Sequence, residues 1–149
     1  MPNQNQSRLS WDEYFFSVVE LIGKRTPCLK RTVGAVIVRD RQILSTGYNG
    51  PASGIPHCVK CARDEAKGPL RREDCCAVHA EVNAVTLAAK QGISIDKADI
   101  YCSYLPCSNC LSVLINAGII CIHYDAFYED ILNLSILSKS KIQTARRIT

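Results

Sequence analysis

The sequence predicts an α/β protein built in three α-β-α layers, a mixed sheet of about five strands with helices on both faces. Three observations predict it. Segments with helical spacing of apolar residues alternate with short β-branched or apolar runs in the order α-β-β-α-β-α-β-α, and the layering rules place such helices over a sheet. The first two strands are separated only by Arg39-Asp40-Arg41 and form a hairpin, whereas each later strand follows a helix. The length, 149 residues at 47% hydrophobic and 21% charged, suffices for one full core and predicts a single domain over 1–149.

Met1 to Ser7 is polar, and residues 1–9 predict a flexible N-terminus. Ser10-Trp11-Asp12-Glu13 has the form of a capping box, and Tyr14, Phe15, Val18, Val19, Leu21 and Ile22 then line one side of a helix that ends near Gly23. Val33–Val38 and Gln42–Tyr48 are the hairpin strands. From 49 to 78 no period survives, and a structureless insertion of that length inside a compact domain needs something to hold it. His79–Gln91 predicts a buried helix capped by Gly92, and Ile100–Tyr104 a short strand. Pro106 starts a second helix, Cys107–Ala117, closed by Gly118. Ile119–Tyr124 is apolar enough to predict a strand covered on both faces. Phe127–Leu137 predicts a weaker helix and Lys141–Ile148 a tail or edge strand.

Composition excludes several classes. No stretch approaches the ~18 apolar residues of a membrane span, and the polar start lacks the apolar run of a signal peptide. A cytoplasmic protein with no membrane partner is therefore expected, and its nine cysteines read as metal ligands and buried thiols, not as a disulfide framework. The net charge of +4 is mild, with basic pairs scattered at Lys24-Arg25, Lys30-Arg31, Arg71-Arg72 and Arg146-Arg147. Aromatic residues are 7% and expected mostly in the core, which argues against a nucleic-acid partner.

Two stretches carry chemistry. His79-Ala80-Glu81 and Pro106-Cys107-Ser108-Asn109-Cys110 supply one imidazole and two thiolates, three of the four ligands of a tetrahedral zinc, with the fourth position left for water. Glu81 is not needed as a ligand and can carry the proton that hydrolysis must move. Two helix N-termini would meet there, their positive ends favouring thiolate. Either stretch alone is weak, since a lone Cys-x-x-Cys is equally a redox pair or a structural clip. Together, H-x-E followed by P-C-x-x-C is the signature of zinc deaminases that act on cytosine or adenine.

Five cysteines stand outside that motif. Cys58 and Cys61 have the spacing of two thiolates on one ion, and Cys28 with Cys75 or Cys76 would close a structural zinc site and pin the insertion. Cys102 and Cys121 fall in apolar strands and are expected as small core residues. A substrate phosphate would need a cation, and Lys30 and Arg31, just before the first strand, are the candidates.

Over nearly its whole length the chain resembles the deoxycytidylate (dCMP) deaminases of the cytidine-deaminase-like fold. The resemblance rests on Ser10-Trp11-Asp12-Glu13-Tyr14-Phe15, Val33-Gly34-Ala35-Val36-Ile37-Val38, Gly47-Tyr48-Asn49-Gly50, His79-Ala80-Glu81-Val82-Asn83-Ala84 and Pro106-Cys107-Ser108-Asn109-Cys110. It implies hydrolysis of dCMP to dUMP and ammonia, with dCTP as a further substrate. His79, Cys107 and Cys110 would hold the catalytic zinc and Glu81 would shuttle the proton. Asn49 would contact the nucleoside, the Ala80 backbone the base, and Lys30 the phosphate. It also implies an accessory zinc matching Cys28 and Cys58, with His57 as a substitute ligand. A homo-hexamer regulated by dCTP and dTTP, with Mg2+ accompanying the nucleotide regulator, follows from the same resemblance. Two other classes stay open: deamination of a base within tRNA or single-stranded DNA, and a non-catalytic zinc-binding module. The similar tRNA adenosine deaminases usually lack both the Trp-Asp-Glu-Tyr opening and a cysteine-bearing insertion.

Overall fold

The computed structural model describes residues 7–65 and 75–149. Part of the expected flexible N-terminus (1–6) and the part of the insertion that holds Arg71-Arg72 (66–74) lie outside the described residues. The first helix, α1 (Trp11–Gly23), begins as the capping box predicts: Glu13 N–H donates to Ser10 Oγ at 3.2 Å, and Ser10 N–H donates to the Glu13 carboxylate at 2.7 Å. Its buried apolar side chains are Phe15, Phe16 and Val19, with Val18 and Ile22 half-buried. Tyr14 and Leu21, expected inward, are instead exposed on the flanks of that face, and Phe16 takes the core position.

The hairpin strands β1 (Gly34–Arg39) and β2 (Gln42–Tyr48) are joined by Asp40 and Arg41, both at positive φ, the two-residue turn whose twist suits paired strands. Next come β3 (Gly50–Pro51), the short α2 (Ala62–Glu65) and β4 (Ala77–Val78). The 49–78 insertion is thus not structureless at its ends. Gly50 pairs with Val78 and Pro51 with Ala77 in a two-stranded ribbon that closes its base. The remainder is α3 (Ala80–Gln91), β5 (Asp99–Tyr104), α4 (Ser108–Asn116), β6 (Cys121–Ala126), α5 (Asn133–Lys139) and β7 (Gln143–Arg146).

Five strands form one mixed sheet in the order β2-β1-β5-β6-β7. The pairs β2/β1 and β1/β5 are antiparallel, and β5/β6 and β6/β7 are parallel. Alternation along the strands divides two cores. Ala35, Ile37, Ile100, Cys102 and Ile122 face the alanine stripe of α3 and Leu111 and Leu114 of α4. Val36, Val38 and Tyr101 face α1. The three-layer expectation therefore holds.

Three expectations change in detail. β6 is not covered on both faces: α1 packs on β1, β2 and β5, so Cys121 and His123 on that side are only half-buried. Cys121 accordingly is not the core residue its apolar neighbours suggest, whereas Cys102 is fully buried. α5 starts later than predicted, at Asn133, because Asp130 Oδ1 accepts the N–H groups of Leu132 and Asn133 (2.9 and 2.7 Å) and holds the preceding residues in a turn. Lys141–Ile148 contains an edge strand, β7.

Gly47 sets the distance between the hairpin and α3. A Cβ there would fall inside the van der Waals surface of the Ala80 carbonyl and the Ala84 backbone. Alongside it, Ser45 Oγ donates to the Ala84 carbonyl at 2.7 Å. The first turn of α3 therefore lies directly on β2. Gly47→Ala should cost about 1–3 kcal/mol through overpacking, read as a lower urea midpoint; an unchanged midpoint would show that α3 is not held this way.

Candidate active site

The two chemical stretches arrive by the same local device. His79 is the N-cap residue of α3 and Cys107 the N-cap residue of α4, both with extended backbone (φ −70°, ψ 152° and φ −67°, ψ 166°). Neither side chain caps its own helix. Each leans instead toward the opposing helix end, so two positive helix termini face one point. His79 Nδ1 lies 3.5 Å from Cys107 Sγ and 3.3 Å from Cys110 Sγ. Among the described residues these three form one of two groups whose ligand atoms all lie within 4.8 Å of one another. The two sulfurs are buried and His79 is exposed.

The electrostatics fit a dication. Cys107 is held down to about 4, chiefly by the thiol proton of Cys110 and then by His79, while Cys110 is pushed well above the usual thiol range. The pair shares one proton and one negative charge. A zinc ion in place of that proton leaves two thiolates and an imidazole, the donor set it prefers.

Glu81, one residue into α3, is 4% exposed. Burial is the main cause that raises its proton affinity, with His79 acting in the opposite direction. Ala80 beside it is fully buried, and both line a pocket with His79 and Cys107. The pocket continues past Asn49 to Lys30, Arg31, Tyr104 and Tyr128. Asn49 is buried, with Oδ1 accepting from Val33 N–H and Nδ2 donating to the Arg31 carbonyl, both at 3.1 Å. It thereby fixes the segment that carries the two cations. Lys30 is ion-paired with Asp64. The Arg31 guanidinium stands over Tyr104 at 5.5 Å and Tyr128 at 5.4 Å, held by two ring faces.

The insertion cysteines come to the same rim. Cys28, Cys61 and Cys75 line the pocket, and Cys58 Sγ lies 3.5 Å from Cys76 Sγ. Cys76 raises the Cys58 thiol, and Cys75 and Cys28 add to the effect. Among the described residues no three of these sulfurs all lie within 4.8 Å of one another. His57 is exposed beside Cys58.

Residues that sequence reasoning missed hold the Cys107 loop. Asp130 Oδ2 accepts Ser108 N–H at 2.6 Å, at the mouth of α4. Asn133, fully buried, donates to the carbonyls of Tyr128 (2.8 Å) and Pro106 (3.4 Å) and accepts from Asp130 N–H. Aromatic placement also differs from expectation, since Trp11, Tyr14, Tyr48 and Phe127 are at the surface.

The family model of the cytidine and deoxycytidylate deaminase zinc-binding region matches residues 9–125, which hold every one of these site residues except Tyr128, Asp130 and Asn133. The chain belongs to this deaminase family. It is 40% identical over 124 residues to ComE operon protein 2 of Bacillus subtilis, covering 82% of this chain and 62% of that protein. It is 34% identical over 151 residues to the deoxycytidylate deaminase of Schizosaccharomyces pombe, covering 98% of this chain and 47% of that one. The chain thus spans about half to three fifths of these curated relatives' own length. The crystal structure of dCMP deaminase from the cyanophage S-TIM5, in complex with dCMP and dUMP, superposes with a TM-score of 0.80 at 26% identity. That match covers 95% of this chain and all of the phage chain. The fold is the cytidine-deaminase-like α/β fold.

Asn133→Ala removes the buried donor of two loop carbonyls. It should destabilise the protein by about 1–3 kcal/mol and speed the loss of zinc to a chelator, because Pro106 leads directly into Cys107. Unchanged zinc release would mean that this latch does not support the metal ligands.

Proposed function

We propose that the chain is a zinc-dependent hydrolase that deaminates dCMP to dUMP and ammonia, supplying dUMP for thymidylate synthesis, with dCTP as a further substrate. The observation that carries this reading is a buried carboxylate, Glu81, beside the His79, Cys107 and Cys110 donors in a pocket with a cation at its far wall. Zinc held by those three residues supplies a Lewis acid that lowers the pKa of water into the neutral range. Glu81 accepts a proton from the attacking water, delivers one to the ring N3, and then serves the departing amine. Water adds at C4 and the C4–N bond breaks, so the products are the uracil ring and ammonia. Burial suits Glu81 to hold a proton between these transfers.

Asn49 and the Ala80 backbone border the space for nucleoside and base. For the phosphate the structure favours Arg31 over Lys30, which the sequence preferred, since Asp64 already compensates Lys30. The S-TIM5 enzyme, whose complex holds dCMP and dUMP, supports a nucleotide of this class.

A second, structural zinc is proposed on the insertion, held by Cys28 and Cys58 with Cys61 and Cys75 or Cys76. The Cys58–Cys76 approach favours Cys76 in that set, and His57 is an adjacent substitute. A homo-hexamer, regulation by dCTP and dTTP, and Mg2+ with the regulator rest on family resemblance. Exposed Ile131, Leu132 and Leu134 supply apolar surface for another copy to cover. No helix among the described residues is long and apolar enough to cross a membrane. Nine free thiols favour a reducing, cytoplasmic compartment.

Glu81→Gln should lower dCMP turnover by ~10²–10⁴-fold with the zinc retained; near-normal turnover would remove the proton-carrying role. Arg31→Ala should cut kcat/KM for dCMP by ~10–100-fold, the scale of a charge-assisted hydrogen bond, and leave deoxycytidine unaffected. A loss that falls equally on both substrates would make Arg31 structural. Replacing Cys58 and Cys76 together by Ser should remove one zinc per chain, and an unchanged zinc count would discard the second site.

A further inference from the structure

We propose a metal site on the opposite face of the sheet, in which Asp99, Cys121 and His123 bind a divalent transition ion of the zinc class. These three form the other group of His, Cys and carboxylate ligand atoms within 4.8 Å of one another among the described residues. Their convergence follows from strand register. Asp99 pairs with Cys121 and Tyr101 with His123 across the parallel β5/β6 ladder, so all four side chains share the α1 face. The His79 site belongs to the other side, where Cys102 and Ile122 point.

The donors are pre-positioned. The His123 ring stacks on Tyr101 at 4.2 Å with planes 5° apart. The Tyr101 hydroxyl donates to Asp12 Oδ1 at 2.7 Å, which ties that ring to α1. His123 Nε2 lies 3.1 Å from Asp99 Oδ2, with side-chain exposures of 15% and 37%. Cys121 is a half-buried free thiol, not a core filler. Imidazole, thiolate and carboxylate together suit zinc, copper or nickel and not calcium or magnesium. Metal binding displaces the Cys121 thiol proton to solvent and replaces the His123–Asp99 hydrogen bond with two coordination bonds.

The surroundings favour a cation and give it a way in. Asp99 stands among the donors and Asp12 meets them through the Tyr101 hydroxyl, so two carboxylates bring negative charge to this face. His123 also lines a groove between the start of α1 and the end of β7, whose charged border is Asp12, Glu13, Arg146 and Arg147. Arg146 and Arg147 would oppose a cation, but Arg147 is paired with Glu20 at 2.7 Å and Asp125 at 3.7 Å, and Arg146 Nε is turned to the Asp125 carbonyl at 3.4 Å. A bound ion would clamp β5 to β6 where α1 leaves the sheet half-covered.

The test uses the full-length reduced protein, stripped with a chelator and then dialysed against micromolar zinc. Wild type should hold one more zinc per chain than either Cys121→Ser or Asp99→Asn, with dCMP turnover unchanged in both variants. Zinc should also raise the Tm of wild type more than that of either variant. Asp99→Asn changes a partly exposed carboxylate and keeps the test decisive if Cys121→Ser misfolds. Equal zinc content in wild type and a folded variant would overturn the proposal and leave His123–Asp99 as an ion pair stacked on Tyr101.

Discussion

The convergence of two helix N-termini on one point is the constraint from which the rest of this structure follows. Two thiolates and a carboxylate buried together would repel one another and pay heavily in lost hydration. The positive ends of α3 and α4, with an imidazole between the sulfurs, make that grouping tolerable, and a zinc ion held there would make it stable. His79 and Cys107 can reach across only because both stand at N-cap positions with extended backbone. Small residues bring the helix ends this close: Gly47 under the first turn of α3, and the alanine stripe Ala80, Ala84 and Ala88 against the sheet. The Asp130–Asn133 turn holds the other ligand loop from behind.

The pocket grows outward from the His79, Cys107 and Cys110 cluster. Its floor is Glu81 and Ala80, its wall Asn49, and its rim the cations and cysteines of the insertion and the segment before β1. Asn49 links the layers, because the amide that borders the pocket also fixes the backbone at Arg31 and Val33. The ribbon of Gly50–Pro51 with Ala77–Val78 delivers the insertion to the rim and leads directly into His79. Anything that orders the insertion therefore also orders the approach to His79.

Much of this was legible in the sequence because it is written in local rules. Capping at Ser10, the stops at Gly92 and Gly118, and the H-x-E and P-C-x-x-C spacings each depend on residues within a turn of one another, and each appears in the structure. What was not legible depends on distant neighbours. The different surroundings of Lys30 and Arg31 are one such case, since Asp64 pairs with the first and two tyrosine rings face the second. β6 looked fully covered because its residues are apolar, but coverage depends on where α1 ends its passage over the sheet. Asp130 and Asn133 carried no motif, since their function is hydrogen bonding to a loop more than a score of residues earlier.

The most direct measurement of the central claim is ammonia release by the zinc-loaded protein from dCMP, dCTP, deoxycytidine and adenosine side by side. A hydrolytic centre built on Glu81 with a cation at the pocket rim predicts the fastest release from dCMP, slow release from deoxycytidine, and none from adenosine. No release from any cytosine nucleotide, with zinc bound at His79, Cys107 and Cys110, would contradict it.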